Sequence, residues 1–104
     1  MSTSQPNAIV PSIVSIKGAS GAEIAEGGTT NETSVTLAGK AEKSQKVAVY
    51  DSGLVKDQAD VDSKGNWTSS LSDLSVGPHR MTAKALYGDG DMSQRRNFTV
   101  APNN

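Results

Sequence analysis

Nine residues, Asp60-Val61-Asp62-Ser63-Lys64-Gly65-Asn66-Trp67-Thr68, constrain this chain more than any others. Ser63-Lys64-Gly65 reads as a tight turn, with residue types that reverse a backbone at low cost. The residues after it alternate, so Trp67, Ser69 and Leu71 fall on one face of a strand. Trp67 is the only tryptophan in 104 residues. Further on, Gly77-Pro78 marks a second turn, and a long alternating run follows. His79, Met81, Ala83, Ala85 and Tyr87 share one face of it, and Arg80, Thr82, Lys84 and Leu86 the other. The second set is mostly polar, so the first faces the core. Such a chain folds as antiparallel sheet packed around one buried indole.

The remaining segments repeat the pattern. Residues 1–11 are polar, end at Pro11 and read as a linker. Residues 13–17 form a short β-branched strand, and Gly18-Ala19-Ser20-Gly21 a turn. Residues 22–25 read as a second short edge segment closed by Gly27-Gly28. Residues 33–39 alternate, with Val35 and Leu37 on one face, and residues 46–51 place Val47 and Val49 inward. Residues 55–61 are polar, as in an edge strand protected by charge. Residues 93–100 form a last strand with Phe98 and Val100 inward, and residues 101–104 a second linker. No segment carries an apolar face at helical spacing. The spacing of strands and turns predicts an all-β fold, an immunoglobulin-like antiparallel β-sandwich of about seven strands over residues 12–100. Its core is expected from Val35, Leu37, Val47, Val49, Trp67, Leu71, Met81, Ala83, Ala85 and Phe98. An odd strand count sends the termini to opposite ends. The terminal strands, 13–17 and 94–100, are expected to pair with each other.

Composition removes several function classes. A formal net charge of −1 is unlike the basic patch of a nucleic-acid binder. The one basic doublet, Arg95-Arg96, reads as a solvated strand face. Absence of cysteine excludes disulfides, zinc–thiolate sites and thiol nucleophiles. No stretch reaches the roughly 18 apolar residues of a membrane span. The first residues lack the basic and apolar regions of a signal peptide, so an export signal is expected outside this chain.

Residues with chemistry are few and dispersed. His79 is the sole histidine, and no serine or aspartate stands in a nucleophile motif around it. Its expected role is to start a strand and hydrogen-bond the backbone near the turn. No catalytic or cofactor-binding residues are assigned. Trp67, considered as a sugar platform, is better used filling a core poor in aromatics. Residues 60–65 imitate the start of a helical calcium loop, but Lys64 takes the fifth ligand position and Leu71 the twelfth. Asp89 and Asp91 form an Asp-x-Asp pair in the loop Gly88-Asp89-Gly90-Asp91. They are the one metal candidate, a calcium site needing a further oxygen donor from a neighbouring module; the alternative is a solvated turn. Asn31-Glu32-Thr33, Asn66-Trp67-Thr68 and Asn97-Phe98-Thr99 match the glycosylation sequon, which has meaning only in a eukaryotic secretory protein and is otherwise a coincidence in a Thr- and Asn-rich chain.

Three ordered pieces carry a family resemblance. They are Ser34-Val35-Thr36-Leu37-Ala38-Gly39-Lys40-Ala41-Glu42 leading into Val47-Ala48-Val49-Tyr50-Asp51; Asp62-Ser63-Lys64-Gly65-Asn66-Trp67-Thr68; and residues 74–85. Together they resemble bacterial immunoglobulin-like (Big-type) modules, which occur as repeats in large surface adhesins. Tyr87 stands where many such repeats have Asp, and Gly88-Asp89-Gly90-Asp91 where many have a Gly-Asn pair. The resemblance implies a non-catalytic stalk or spacer module used in cell adhesion, on the surface of a bacterium or secreted from it. It implies neighbouring immunoglobulin-like modules as partners, with a host glycan or surface protein as a further partner. It implies no nucleic acid, no membrane insertion, and a monomeric isolated domain. Two alternatives stay open: a glycan- or protein-binding module, and an accessory domain of a secreted polysaccharide-active enzyme.

Overall fold

The computed structural model describes residues 9–102; residues 1–8 and 103–104, most of the two expected linkers, lie outside the described residues. Eight strands run in order: β1 (Ser12–Gly18), β2 (Gly28–Thr30), β3 (Val35–Lys40), β4 (Lys46–Asp51), β5 (Leu54–Asp60), β6 (Asn66–Leu71), β7 (Gly77–Ala85) and β8 (Arg96–Val100). They form two sheets, β1-β3-β6 and β2-β8-β7-β4-β5, packed face to face. The described residues contain no helix. All pairings are antiparallel except β2 with β8, which is parallel. This is the expected immunoglobulin-like sandwich, with one strand more than expected.

The additional strand is β2. Gly28–Thr30 is three residues long and shows no alternation that could betray it. Residues 22–25, expected as an edge segment, contribute only a single bridge between Glu23 and Lys17. The terminal strands do not pair with each other. β1 pairs with β3, while β8 lies between β7 and β2 in the other sheet. The link between β1 and β8 is a side chain. Arg96 donates from Nη1 to the Val14 carbonyl (3.2 Å) and from Nη2 to the Ile24 carbonyl (3.0 Å) and Glu23 Oε2 (3.2 Å). Glu26, 3.6 Å from Arg96 Nε, accepts hydrogen bonds from Asn97 N and Nδ2. The doublet is therefore split: Arg95 is exposed, whereas the Arg96 side chain is only 16% exposed. A guanidinium loses its hydration at such a site and needs this many acceptors in return.

Each inner face is set by alternation. β3 buries Val35, Leu37 and Gly39, β6 buries Trp67, Ser69 and Leu71, and β7 buries His79, Met81, Ala83 and Ala85. All ten expected core residues are buried, joined by Ile16, Ile24, Val61 and Val100. Ala48, on a strand flanked by β5 and β7 in the sheet, is buried as well. Trp67 is 1% exposed and lies opposite Gly39 in the ladder. Its indole N–H donates to the Lys40 carbonyl (3.2 Å), which satisfies the one polar group of the ring. A Cβ on Gly39 would come 2.5 Å from Trp67 Cζ2 and would overlap the Ser12 carbonyl. Glycine is required there so that the indole can lie against the backbone.

β7 serves as a ruler for the two ends. Ile9 meets Tyr87, just past the last residue of β7, while Val100 pairs with Gly77, the first. Nine strand residues at about 3.3 Å each put the two points about 30 Å apart. The chain thus enters at one pole and leaves at the other. Parity of the strand count is not the reason. The bridge at Glu23 folds the chain back once before β2, so β1 and β2 run the same way.

Replacing Trp67 with Ala is expected to cost about 3–5 kcal/mol in denaturant unfolding. Gly39→Ala is expected to cost about 3 kcal/mol by overpacking the same contact. A near-native melting curve for either variant contradicts the packing of indole on backbone.

Candidate functional site

The strongest grouping of titratable side chains sits where β4 ends and β7 begins. Asp51 closes β4 on its inward face and pairs in the ladder with Met81. His79 lies two residues before Met81 on the same inward face. Both are buried, at 7% and 5% exposure. His79 Nδ1 is 2.5 Å from Asp51 Oδ2, and Nε2 is 2.8 Å from the Ser75 carbonyl. The ring stacks on Phe98, with centroids 5.1 Å apart and planes 18° from parallel. Asp51 Oδ1 accepts from Arg80 N and from Ser52 Oγ, both at 3.2 Å.

The partners fix the protons. A carbonyl only accepts, so Nε2 donates to Ser75. One proton then lies between Nδ1 and Asp51 Oδ2, since two bare acceptors would repel at that distance. Both ring nitrogens are thereby engaged. The ring nitrogen a base would use is bonded to main chain, and among the described residues the one hydroxyl bonded to the pair, that of Ser52, reaches Asp51 rather than His79. The pair instead pins the β6–β7 connection. In many immunoglobulin-like sandwiches a tyrosine at this corner hydrogen-bonds the backbone a few residues upstream. Here His79 does so, four residues upstream, and Asp51 satisfies its second nitrogen.

The backbone bond of His79 matches expectation. Its carboxylate partner does not come from any local motif, being 28 residues away. The signal was nevertheless present: Asp51 continues the inward alternation of Val47 and Val49, and an inward carboxylate demands a partner.

A cleft of about 470 Å³ opens above this pair, between edge strands β5 and β6. Lys56, Asp57, Ser70, Leu71, Ser72 and Asp73 line it, together with the pair itself. Ser69 Oγ donates to Asp57 Oδ2 (2.6 Å) and ties the sheets on this flank. Among the described residues no group of three or more His, Cys, Asp or Glu side chains is placed to hold a metal ion. Asp89 and Asp91 are exposed in the turn after β7, at the pole where Ile9 enters. That turn is held by main-chain bonds, Gly90 N to Tyr87 O (3.1 Å) and Ala85 N to Asp91 O (2.8 Å).

Trp67 is too deeply buried to meet a sugar. The turn before it is built by Asp62. Its Oδ1 accepts from Lys64 N and Asn66 N, both at 2.9 Å, and Gly65 follows with φ of 88°. The Asn66 and Lys64 amides hold the Asp62 carboxyl below its usual value of 3.8.

The structure is similar to a solved fibronectin(III)-like module of CbhA from Clostridium thermocellum, with a TM-score of 0.62 at 16% identity. The match covers 91% of this chain and 99% of that one. The fold is fibronectin(III)-like. Neither a protein-family model nor a curated protein matches the sequence. Fibronectin(III)-like and immunoglobulin-like sandwiches share this two-sheet architecture, so the likeness and the strand order agree.

Two outcomes follow for this region. His79→Phe and Asp51→Ala are each expected to cost about 3–5 kcal/mol, because each leaves the other group buried without its partner. The double variant should cost less than the sum, with a coupling of about 1–3 kcal/mol in chemical denaturation; strict additivity contradicts a working pair. Asp62, held ionised by the fold, contributes stability above pH 3.8 that is lost as pH falls through its lower folded value. Acid-unfolding curves of wild type and Asp62→Asn should therefore converge at low pH and separate above it.

Proposed function

We propose that this chain is a non-catalytic spacer module of an extracellular bacterial protein. The observation that carries the reading is the placement of Ile9 and Val100, at opposite poles of β7 and about 30 Å apart. A module of that form extends whatever chain it is inserted into. Two further facts support it. The one buried histidine pair is used up by the fold. The similar CbhA chain is itself described as a fibronectin(III)-like module. The parent protein is a surface adhesin in the finer form of this reading, with neighbouring immunoglobulin-like modules as partners. The other form of the reading is an accessory position in a secreted polysaccharide-active enzyme. The mechanical job is the same in both.

The test uses the absence of native cysteine. Ser12→Cys with Pro102→Cys, labelled for distance measurement, should give one narrow separation that persists up to the unfolding transition. The unlabelled chain should bind no glycan on an array and hydrolyse no polysaccharide. Saturable binding or turnover by the isolated chain overturns the spacer reading.

A further inference from the structure

The chain is held at its point of entrance by hydrogen bonds rather than by burial. Ile9 is 49% exposed, so packing does not fix it. Its N–H donates to Glu42 Oε1 (3.1 Å), and its carbonyl accepts from the Tyr87 hydroxyl. Glu42 N in turn donates to the same Tyr87 oxygen (3.0 Å). Glu42 follows β3 of one sheet, and Tyr87 follows β7 of the other. Three segments far apart in sequence thus converge on one phenol. Tyr87 is anchored in its own right, its ring packed against the core.

The residues after Ile9 transmit this hold. Pro11 is buried, its ring fixes one backbone angle, and the residue before a proline is confined to extended conformations. Little freedom remains between Ile9 and the start of β1 at Ser12. Val10 and Met92 line one groove beside this point, both half exposed.

We propose that Tyr87 and Glu42 form a latch on the Ile9 backbone that sets the direction in which the preceding chain joins the module, making a stiff joint instead of a free one. The consequence for joint stiffness rests on the spacer reading; the latch itself does not. Both main-chain groups of Ile9 are engaged at once, which removes rotation about this residue as a hinge. Burial raises the Tyr87 hydroxyl above its usual value of 10.0, and the Glu42 amide bond opposes that rise while the Glu42 and Asp91 carboxylates add to it. The phenol therefore keeps the proton it donates to Ile9 throughout the neutral range.

Amide hydrogen exchange by NMR on the full chain tests the latch. In wild type the Ile9 amide should be protected although the residue is half exposed. Tyr87→Phe, which keeps the ring and removes the hydroxyl, should speed Ile9 exchange about tenfold, with Leu37 and Val49 unchanged. Glu42→Ala should do the same, and Glu42→Gln, which keeps the acceptor oxygen, should restore protection. If Tyr87→Phe perturbs folding, the Glu42 pair gives the answer alone. Free exchange of Ile9 in wild type, or no response to Tyr87→Phe and Glu42→Ala, overturns the latch. These readouts are independent of ligand binding, so a chain that binds glycan with Ile9 protected refutes the spacer and keeps the latch.

Discussion

The contact of the Trp67 indole with the Gly39 backbone is the constraint from which the rest of the sandwich is organised. Trp67 is the largest of the fully buried side chains, and it is 1% exposed. Its position opposite Gly39 fixes the register of β3 against β6, since a shift by one residue would put a side chain where the indole lies. That register places Val35, Leu37 and Leu71 on the inner face. The five-stranded sheet supplies the other half of the core through Val47, Val49, Met81, Ala83 and Phe98. The indole N–H closes onto Lys40, so this large group enters the core with no polar atom left over.

The two flanks of the sandwich are closed by different means. On the side of β5 and β6 the sheets are joined by one short hydrogen bond, from Ser69 to Asp57, beside an open polar cleft. On the side of β1, β2 and β8, Arg96 and Glu26 reach across to several main-chain atoms. β5 is the exposed edge of its sheet, and Lys56, Asp57 and Asp60 along it discourage pairing with another chain. The exposed ion pair Lys46–Asp60 lies on that same edge and adds little stability.

Alternation made most of this fold legible in the sequence. Wherever one face is buried and the other solvated, the period of two shows, and those strands and their core residues were readable. β2 was not, because three residues carry no period, and its pairing with β8 follows from a change of sheet that leaves no local trace. The Arg95-Arg96 doublet misled for a related reason. A part-buried guanidinium looks like a surface one until its acceptors, here Val14 and Ile24, are brought to it by topology. The Asp51–His79 pair stood half in view, since the inward position of Asp51 was readable and its distant partner was not. The role of Tyr87 was visible only as apolar area, because its hydroxyl contacts come from chain 45 and 78 residues away.

The Arg96 seam has a temporal meaning as well as a spatial one. It joins positions 82 residues apart, close to the whole length of the domain. Contacts of such separation are costly to close early and form late in folding. A chain that emerges from its amino end can pair β1 with β3 long before Arg96 exists to staple the flank. β8, which must also arrive to hold β2, is the last strand to be made. Until then one side of the sandwich is unsealed. A nascent copy therefore stays loosely joined on that flank until β8 has been delivered.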